Sequence, residues 1–315
     1  MAISFGVHTG QQDLMMDDLR RTWREIDAAE MDWISVWDHF YEAPPIDGMS
    51  PAFEAIAAMG ALAAETEHVR IGCLVFCIPY RNPTNLAKAM TTLDHISHGR
   101  LTVGLGAGWH EQEFSGYGYD FPRINTRLDM LEEGIQIVRS MLTQERTTFQ
   151  GEHYSVQNAT CQPAPVQDHV PIWVGGRGEK RTLRMAARYA DGWNAPYVAP
   201  GEWGRLNRVL DDWCRVEGTD PGSIRRTVNL QFALASTRTK AEVQKQKLRD
   251  QWGNRAESVI EGSLTGTPND AAERVAKYVA EGAQDVNVAL RAPWDAEAFN
   301  IYLNEVVPAM RQQFA

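Results

Sequence analysis

Cysteine is scarce in this 315-residue chain: Cys73, Cys77, Cys161 and Cys214 are the four there are. None forms a C-x-x-C pair, and Cys73 and Cys77 sit too far apart along an extended strand to be bridged, so neither a disulfide frame nor a zinc site is expected. Long apolar runs are lacking too. The longest uncharged one, Ile71 to Tyr80, is roughly half of what a bilayer-spanning helix needs. The N-terminal M-A-I-S-F-G-V-H-T-G has neither the basic region nor the apolar stretch of a signal peptide. A cytoplasmic location without a membrane partner is the expectation. Basic charge is in short supply: 31 Lys and Arg stand against 41 Asp and Glu, a net charge of −10. Such a balance argues against nucleic acid or an anionic membrane as the main partner.

What is present is a globular composition, 43% hydrophobic and 23% charged, and enough length for one large domain with its own core. Eight short apolar runs recur along the chain: Ile3–Val7, Trp33–Trp37, Arg70–Phe76, Leu101–Leu105, Pro171–Val174, Gly192–Asn194, Thr227–Ala233 and Asp285–Leu290. Between and after them, apolar residues at three- and four-residue spacing predict helices over Asp17–Ala29, Ala52–Thr66, Thr84–Ile96, Arg127–Leu142, Glu179–Tyr189, Gly201–Glu217, Asp270–Ala280 and Ala296–Arg311. Alternation of this kind fits a closed (β/α)8 TIM barrel as a single α/β domain over residues 1–315. Two excursions break it, near 145–170, where T-T-F-Q-G-E-H-Y-S-V alternates around Gly151 like a hairpin, and near 253–268, rich in Gly, Asn, Ser and Thr. A doubly wound dinucleotide fold is disfavoured: Gly104-Leu105-Gly106-Ala107-Gly108 would need glycine at position 109 or 111 to complete G-x-G-x-x-G, and Trp109 and Glu111 stand there.

Barrel enzymes carry their sites at the carboxyl ends of the strands. Five places qualify: Asp38-His39, Cys73 to Val75, Gly106 to Glu113, Gly175 to Gly178, and Trp193-Asn194. His39 has the side chain suited to proton transfer near neutral pH, against the plain alternative of a capping loop residue. Asp38 could orient the loop or bind a cofactor hydroxyl, and the residues do not separate the two. The string I-W-V-G-G-R-G-E-K-R-T-L runs from strand to helix through three glycines, which suits an anion on backbone N–H groups, with Arg177 and possible help from Lys180 or Arg181; a tight turn for geometry alone is the alternative. His95 and His98 beside Asp94, and H-E-Q-E-F at 110–114, lack a convincing metal pattern, so no metal is expected. Glu132-Glu133 reads as a solvated helix face, and no G-x-S-x-G elbow is present.

The strings V-W-D-H-F (36–40), R-I-G-C-L-V (70–75), Y-R-N-P-T-N-L-A-K (80–88), L-D-H-I-S-H-G-R-L-T-V-G-L-G-A-G-W (93–109) and P-I-W-V-G-G-R-G-E-K-R-T-L-R-M-A-A-R-Y-A-D-G-W-N (171–194) occur in order. Together with E-V-V-P-A-M-R (305–311) they resemble the luciferase-like monooxygenase superfamily, and within it the actinobacterial oxidoreductases that use the deazaflavin coenzyme F(420). The resemblance implies a (β/α)8 barrel with insertions, holding the deazaflavin in its mouth. It places Asp38 and His39 beside the ring, with His39 managing the proton. It also implies a cis non-proline peptide in strand three, at Leu74–Val75 or alternatively Cys73–Leu74, so that Cys73, Leu74 and Val75 back the ring. Ala107, Gly108, Gln112, Gly175, Gly176, Arg177 and Gly178 would line the phosphate-bearing tail. Sugar-phosphate dehydrogenases of the superfamily have a carboxylate directly after the glycine pair of strand four; Trp109 stands there instead, which tells against a glucose 6-phosphate type of activity. Trp109, Trp193 and Phe40 would then wall the substrate, and Arg291 after strand eight could face it. The activity so implied is hydride transfer between F(420) and an alcohol, carbonyl, or activated C=C or C=N bond. An FMN-dependent two-component monooxygenase and a non-catalytic flavin-binding relative are the alternatives. A homodimer through the second and third helices is implied as well, the small apolar stretch Ala52 to Ala64 suiting it.

Overall fold

Two-residue alternation sorts every strand of the molecule into an inner and an outer face. The computed structural model describes residues 3–44 and 47–314. In chain order the strands are β1 (Ser4–Thr9), β2 (Trp33–Val36), β3 (Arg70–Cys77), β4 (Leu101–Gly106), β5 (Thr147–Gln150), β6 (Ser155–Ala159), β7 (Ile172–Gly175), β8 (Gly192–Pro196), β9 (Arg225–Leu234), β10 (Ser263–Gly266) and β11 (Asp285–Leu290). Eight of them pair in parallel in the cyclic order β1, β2, β3, β4, β7, β8, β9, β11, with β11 returning to β1 from Ser4↔Asp285 to Thr9↔Leu290. That is the (β/α)8 barrel.

Outward-facing Val7, Ile34, Ile71, Val103, Leu105, Ile172, Val174, Leu230 and Val288 are fully buried against the helix layer and belong to one continuous core. Each such side chain removed from water contributes about 1.5–3 kcal/mol. Inside the ring, Trp33 and Trp173 stack at 4.9 Å between centroids and fill the floor with Leu74. Since all eight strands run the same way, the residues just past their carboxyl ends gather at one mouth.

The hairpin expected around Gly151 is the antiparallel pair β5–β6. The second excursion differs from expectation. A helix spans Arg238–Trp252, a shorter one spans Ala256–Glu261, and β10 pairs with β9 from Gln231 to Leu234, just beyond where β8 ends at Asn229. The first helix escapes a periodicity search because R-T-K-A-E-V-Q-K-Q-K-L-R-D-Q-W buries only Ala241 and Leu248. The helix after β7 begins at Thr182, three residues later than its apolar spacing suggests, as the glycine turn extends through Arg181. The last predicted helix, Ala296–Arg311, contains a π turn at Tyr302–Val306. Among the described residues no helix is long and apolar enough to cross a membrane.

Candidate active site

His39 lies three residues past the end of β2, with its side chain 15% exposed. Its Nδ1 is 2.9 Å from Oε2 of Glu113, a carboxylate wholly buried on a short helix after β4 (Glu111–Gly116). Three further donors converge on the same group: the Phe40 and Tyr41 amides on Oε1 at 2.8 and 2.9 Å, and the Tyr80 hydroxyl on Oε2 at 2.7 Å. Burial alone would raise the Glu113 carboxyl. The hydrogen bonds from His39, the Tyr41 amide and the Tyr80 hydroxyl outweigh burial and hold it below its ordinary value. An ionised carboxylate only accepts, so the proton on the shared contact sits on His39 Nδ1 and leaves Nε2 with its lone pair. Among the described residues Nε2 has no hydrogen-bond partner. Trp109, 49% exposed, and His110 edge the imidazole at 5.3 and 5.6 Å between ring centroids.

Asp38, beside it, is fully engaged. Its Oδ2 accepts from the Cys77 amide at 2.8 Å, and Arg81 grips both oxygens at 2.5 and 2.8 Å. These bonds tie the loop after β2 to the end of β3, which is the orienting role considered for Asp38.

Val75 sets the shape of the wall formed by β3, β4 and β7. The peptide Leu74–Val75 is cis, the first of the two registers considered. Register between β3 and β4 shifts between Cys73 and Phe76, and the Val75 side chain lies over β4 and β7, at Gly106 and Gly175. A Cβ on Gly106 would stand 2.4 Å from Val75 Cγ2, and one on Gly175 would stand 2.7 Å from Cγ1. Gly104 and Gly106 are therefore strand residues that clear room inside the barrel, not a phosphate loop. Gly108 just after them has φ of +74°, with Cys77 and Phe114 packed against its Cα. Past β7, Gly176 donates to the Asn194 carbonyl at 3.0 Å and accepts from Trp193 Nε1 at 2.8 Å, while Arg177 and Gly178 are exposed.

Two expected site residues need correction. Cys73 and Trp193 are fully buried on the outer faces of β3 and β8, one position out of step with the inward Leu74 and Asn194. Trp193 stacks on Trp203 of the helix Pro200–Glu217, so it walls no substrate, and the Cys73 side chain packs toward helices. Gln112 is exposed on the helix whose next residue, Glu113, turns inward. Phe40 is half-buried in an aromatic cluster with Tyr80, Tyr117 and Tyr119, behind the imidazole. Ala107 is half-buried beside Gly108.

Sequence reading overlooked His8, on the inner face of β1. It is buried, its Nδ1 is 2.8 Å from Ser35 Oγ, and its ring meets Trp37 edge-on. Burial, with the positive charge of Arg291 nearby, pushes its imidazole down to about 3. Arg291 closes this side of the mouth just past β11, its guanidinium 4.7 Å from the Trp37 ring centre. A groove of about 520 Å³ beside Arg139, Tyr189 and Asp191 lies at the other end of the barrel, by the starts of the strands.

The luciferase-like monooxygenase family model matches residues 2–257. An uncharacterized protein of Mycobacterium tuberculosis is 36% identical over 149 residues, 47% of this chain and 52% of that protein, so this match spans about half of the relative's length. A Microbacterium testaceum protein named F(420)-dependent glucose-6-phosphate dehydrogenase is 29% identical over 91% of this chain and 92% of its own. Among solved structures, an F(420)-dependent secondary alcohol dehydrogenase in complex with an F(420)-acetone adduct superposes with a TM-score of 0.85 at 20% identity, covering 98% of this chain and 99% of that one. A long-chain alkane monooxygenase does so with a TM-score of 0.80 at 14% identity, covering 99% and 92%. At such identities these likenesses speak for the fold.

Proposed function

The chain belongs to the luciferase-like monooxygenase family, and within that family we propose that it is an oxidoreductase passing hydride between coenzyme F(420) and a small organic substrate, an alcohol and its carbonyl or an activated C=C or C=N bond. The observation that carries this reading is the buried His39–Glu113 pair, 2.9 Å apart, with Nε2 open at a mouth cleared by glycine.

The residues fit a flat ring with an anionic tail. Gly106 and Gly175 leave Val75 as the contact surface, and the exposed residues Arg177 and Gly178 present backbone amides at the strand ends. Leu74 and Val75 would back the ring, while Ala107, Gly108, Gln112, Gly175, Gly176, Arg177 and Gly178 would hold the tail. When bound, the deazaflavin supplies hydride exchange, chemistry that no side chain here offers.

Everything else falls to the protein. His39 Nε2 accepts the hydroxyl proton of an alcohol as it becomes a carbonyl, and in the reverse direction the imidazolium returns it. Glu113 fixes the tautomer and stabilises the charged ring. Asp38 and Arg81 hold the loop that carries His39, and Trp109 shields the imidazole from water. The relative named for glucose 6-phosphate does not set the substrate in this reading, since Trp109 stands where a carboxylate was expected. The helices Ala55–Glu65 and Pro83–Ile96 are the surface we propose for a homodimer, with light scattering at twice the chain mass as the expected result and at one chain mass as the refutation.

The test is a screen with oxidised F(420) against primary and secondary alcohols and reduced F(420) against conjugated enones and imines. Substrate-dependent turnover is expected. In His39→Ala, turnover should fall by about 10²- to 10⁴-fold with cofactor affinity kept. A variant that turns over at the parent rate contradicts the assignment.

A further inference from the structure

Around Arg291 the structure collects hydrogen-bond donors without acceptors. The guanidinium sits among three aromatic rings, 4.7 Å from the centre of Trp37 and 5.8 Å from those of Tyr197 and Trp252. Nη1 donates to the Ala43 carbonyl, and Nη2 donates to the Tyr197 hydroxyl at 2.9 Å. Arg291 Nε, Trp37 Nε1 and Trp252 Nε1 are all buried with no partner. No Asp or Glu among the described residues lies within ion-pair distance of Arg291, whereas the other cation at the mouth, Arg81, is fully paired with Asp38. Backbone strain marks the same spot: Tyr197, which accepts from Arg291, has φ of +52°.

Orphaned buried donors are costly, and a half-buried cation without a counter-charge adds to that cost. An aromatic cage eases the charge but takes up none of these N–H groups. What Arg291 Nε and the indole N–H groups of the two rings beside the guanidinium lack is an acceptor, and what the guanidinium lacks is a negative charge. We propose that Arg291, Trp37 and Trp252 form a subsite for an anionic oxygen group, a carboxylate carried by the substrate.

The proposal rests on the reading of the mouth as an active site and narrows its substrate to an acid-bearing alcohol, carbonyl or enone. His8, buried beside Arg291 and Trp37, is kept neutral and sets no second positive charge against the guanidinium. The glycine turn after β7 stands three strands away round the ring from Arg291, which separates the carboxylate subsite from the place suggested for the cofactor's tail.

Calorimetric titration of the whole protein with acetate and benzoate, against acetamide and benzamide as neutral matches, decides it. The acids should bind and the amides should not. Arg291→Gln should weaken the acids by at least about tenfold, Arg291→Lys should restore part of the loss, and Trp37→Phe, which keeps the ring and removes one donor, should weaken them by a smaller factor. F(420) affinity should be the same in Arg291→Gln as in the parent. Equal binding of acids and amides, or acid binding untouched in both Arg291→Gln and Trp37→Phe, overturns the subsite. Loss of F(420) affinity in Arg291→Gln as large as the loss for the acids would reassign it to the cofactor's own anionic tail. If the parent protein fails to bind F(420), the functional reading falls, while the acid titration still judges the subsite.

Discussion

His39 can take only one neutral tautomer while Glu113 is ionised, and that restriction gives the imidazole a defined chemical task. Glu113→Gln keeps an oxygen for the Phe40 and Tyr41 amides but removes the charge that favours imidazolium. The maximal rate should drop by at least about tenfold as the tautomer is no longer enforced. A maximal rate equal to that of the parent would remove Glu113 from the mechanism. His39 was legible in the sequence because it follows an apolar run directly. Glu113 was not, because its partners come from residues 39–41 and 80, and the short H-E-Q-E-F segment shows neither which of its residues turns inward nor toward what. Strand alternation did hold a usable signal for Cys73 and Trp193, whose immediate neighbours Leu74 and Asn194 face the other way. Arg291 was picked out by position alone; its cage depends on Trp37, Tyr197 and Trp252, which no local pattern links.

At the scale of elements, β3, β4 and β7 are fitted to one another through Val75. Gly106→Ala would put a Cβ 2.4 Å from Val75 Cγ2, and overpacking of this kind typically costs about 1–3 kcal/mol. Chemical denaturation should show that loss, and Val75→Ala should recover much of it in the double variant because the clashing methyl is gone. Additive losses in the double variant would mean that the two residues do not meet. The glycines drew notice in the sequence as a loop-like cluster, yet their purpose lies in a side chain about thirty residues upstream. Conversely, the helix Arg238–Trp252 forms without an apolar stripe, so its existence is settled by capping at Thr237 and by its place beside β9 and β10 rather than by periodicity.

For the whole molecule, the repeated alternation of apolar runs and amphipathic stretches was enough to imply a closed ring, since parallel strands joined by helices bury both faces only when packed that way. Closure itself, from Ser4↔Asp285 to Thr9↔Leu290, joins opposite ends of the chain and leaves no local trace. Burial of His8 inside the ring couples folding to pH. Its imidazole titrates near 3 in the folded protein and at about 6.5 when exposed. Below the latter value the unfolded chain binds a proton that the barrel refuses, so this contribution to stability is whole at pH 7 and shrinks as the pH falls toward 3, by about 2 kcal/mol at pH 5. Urea denaturation at pH 7 and pH 5 should show a smaller pH-dependent loss in His8→Asn than in the parent; an identical loss would place the imidazole in contact with water. The claim on which the rest turns is that the mouth takes a deazaflavin. Equilibrium titration of the purified protein with F(420) and with FMN tests it directly: F(420) should bind at least about tenfold more tightly, and equal or tighter binding of FMN would contradict the account.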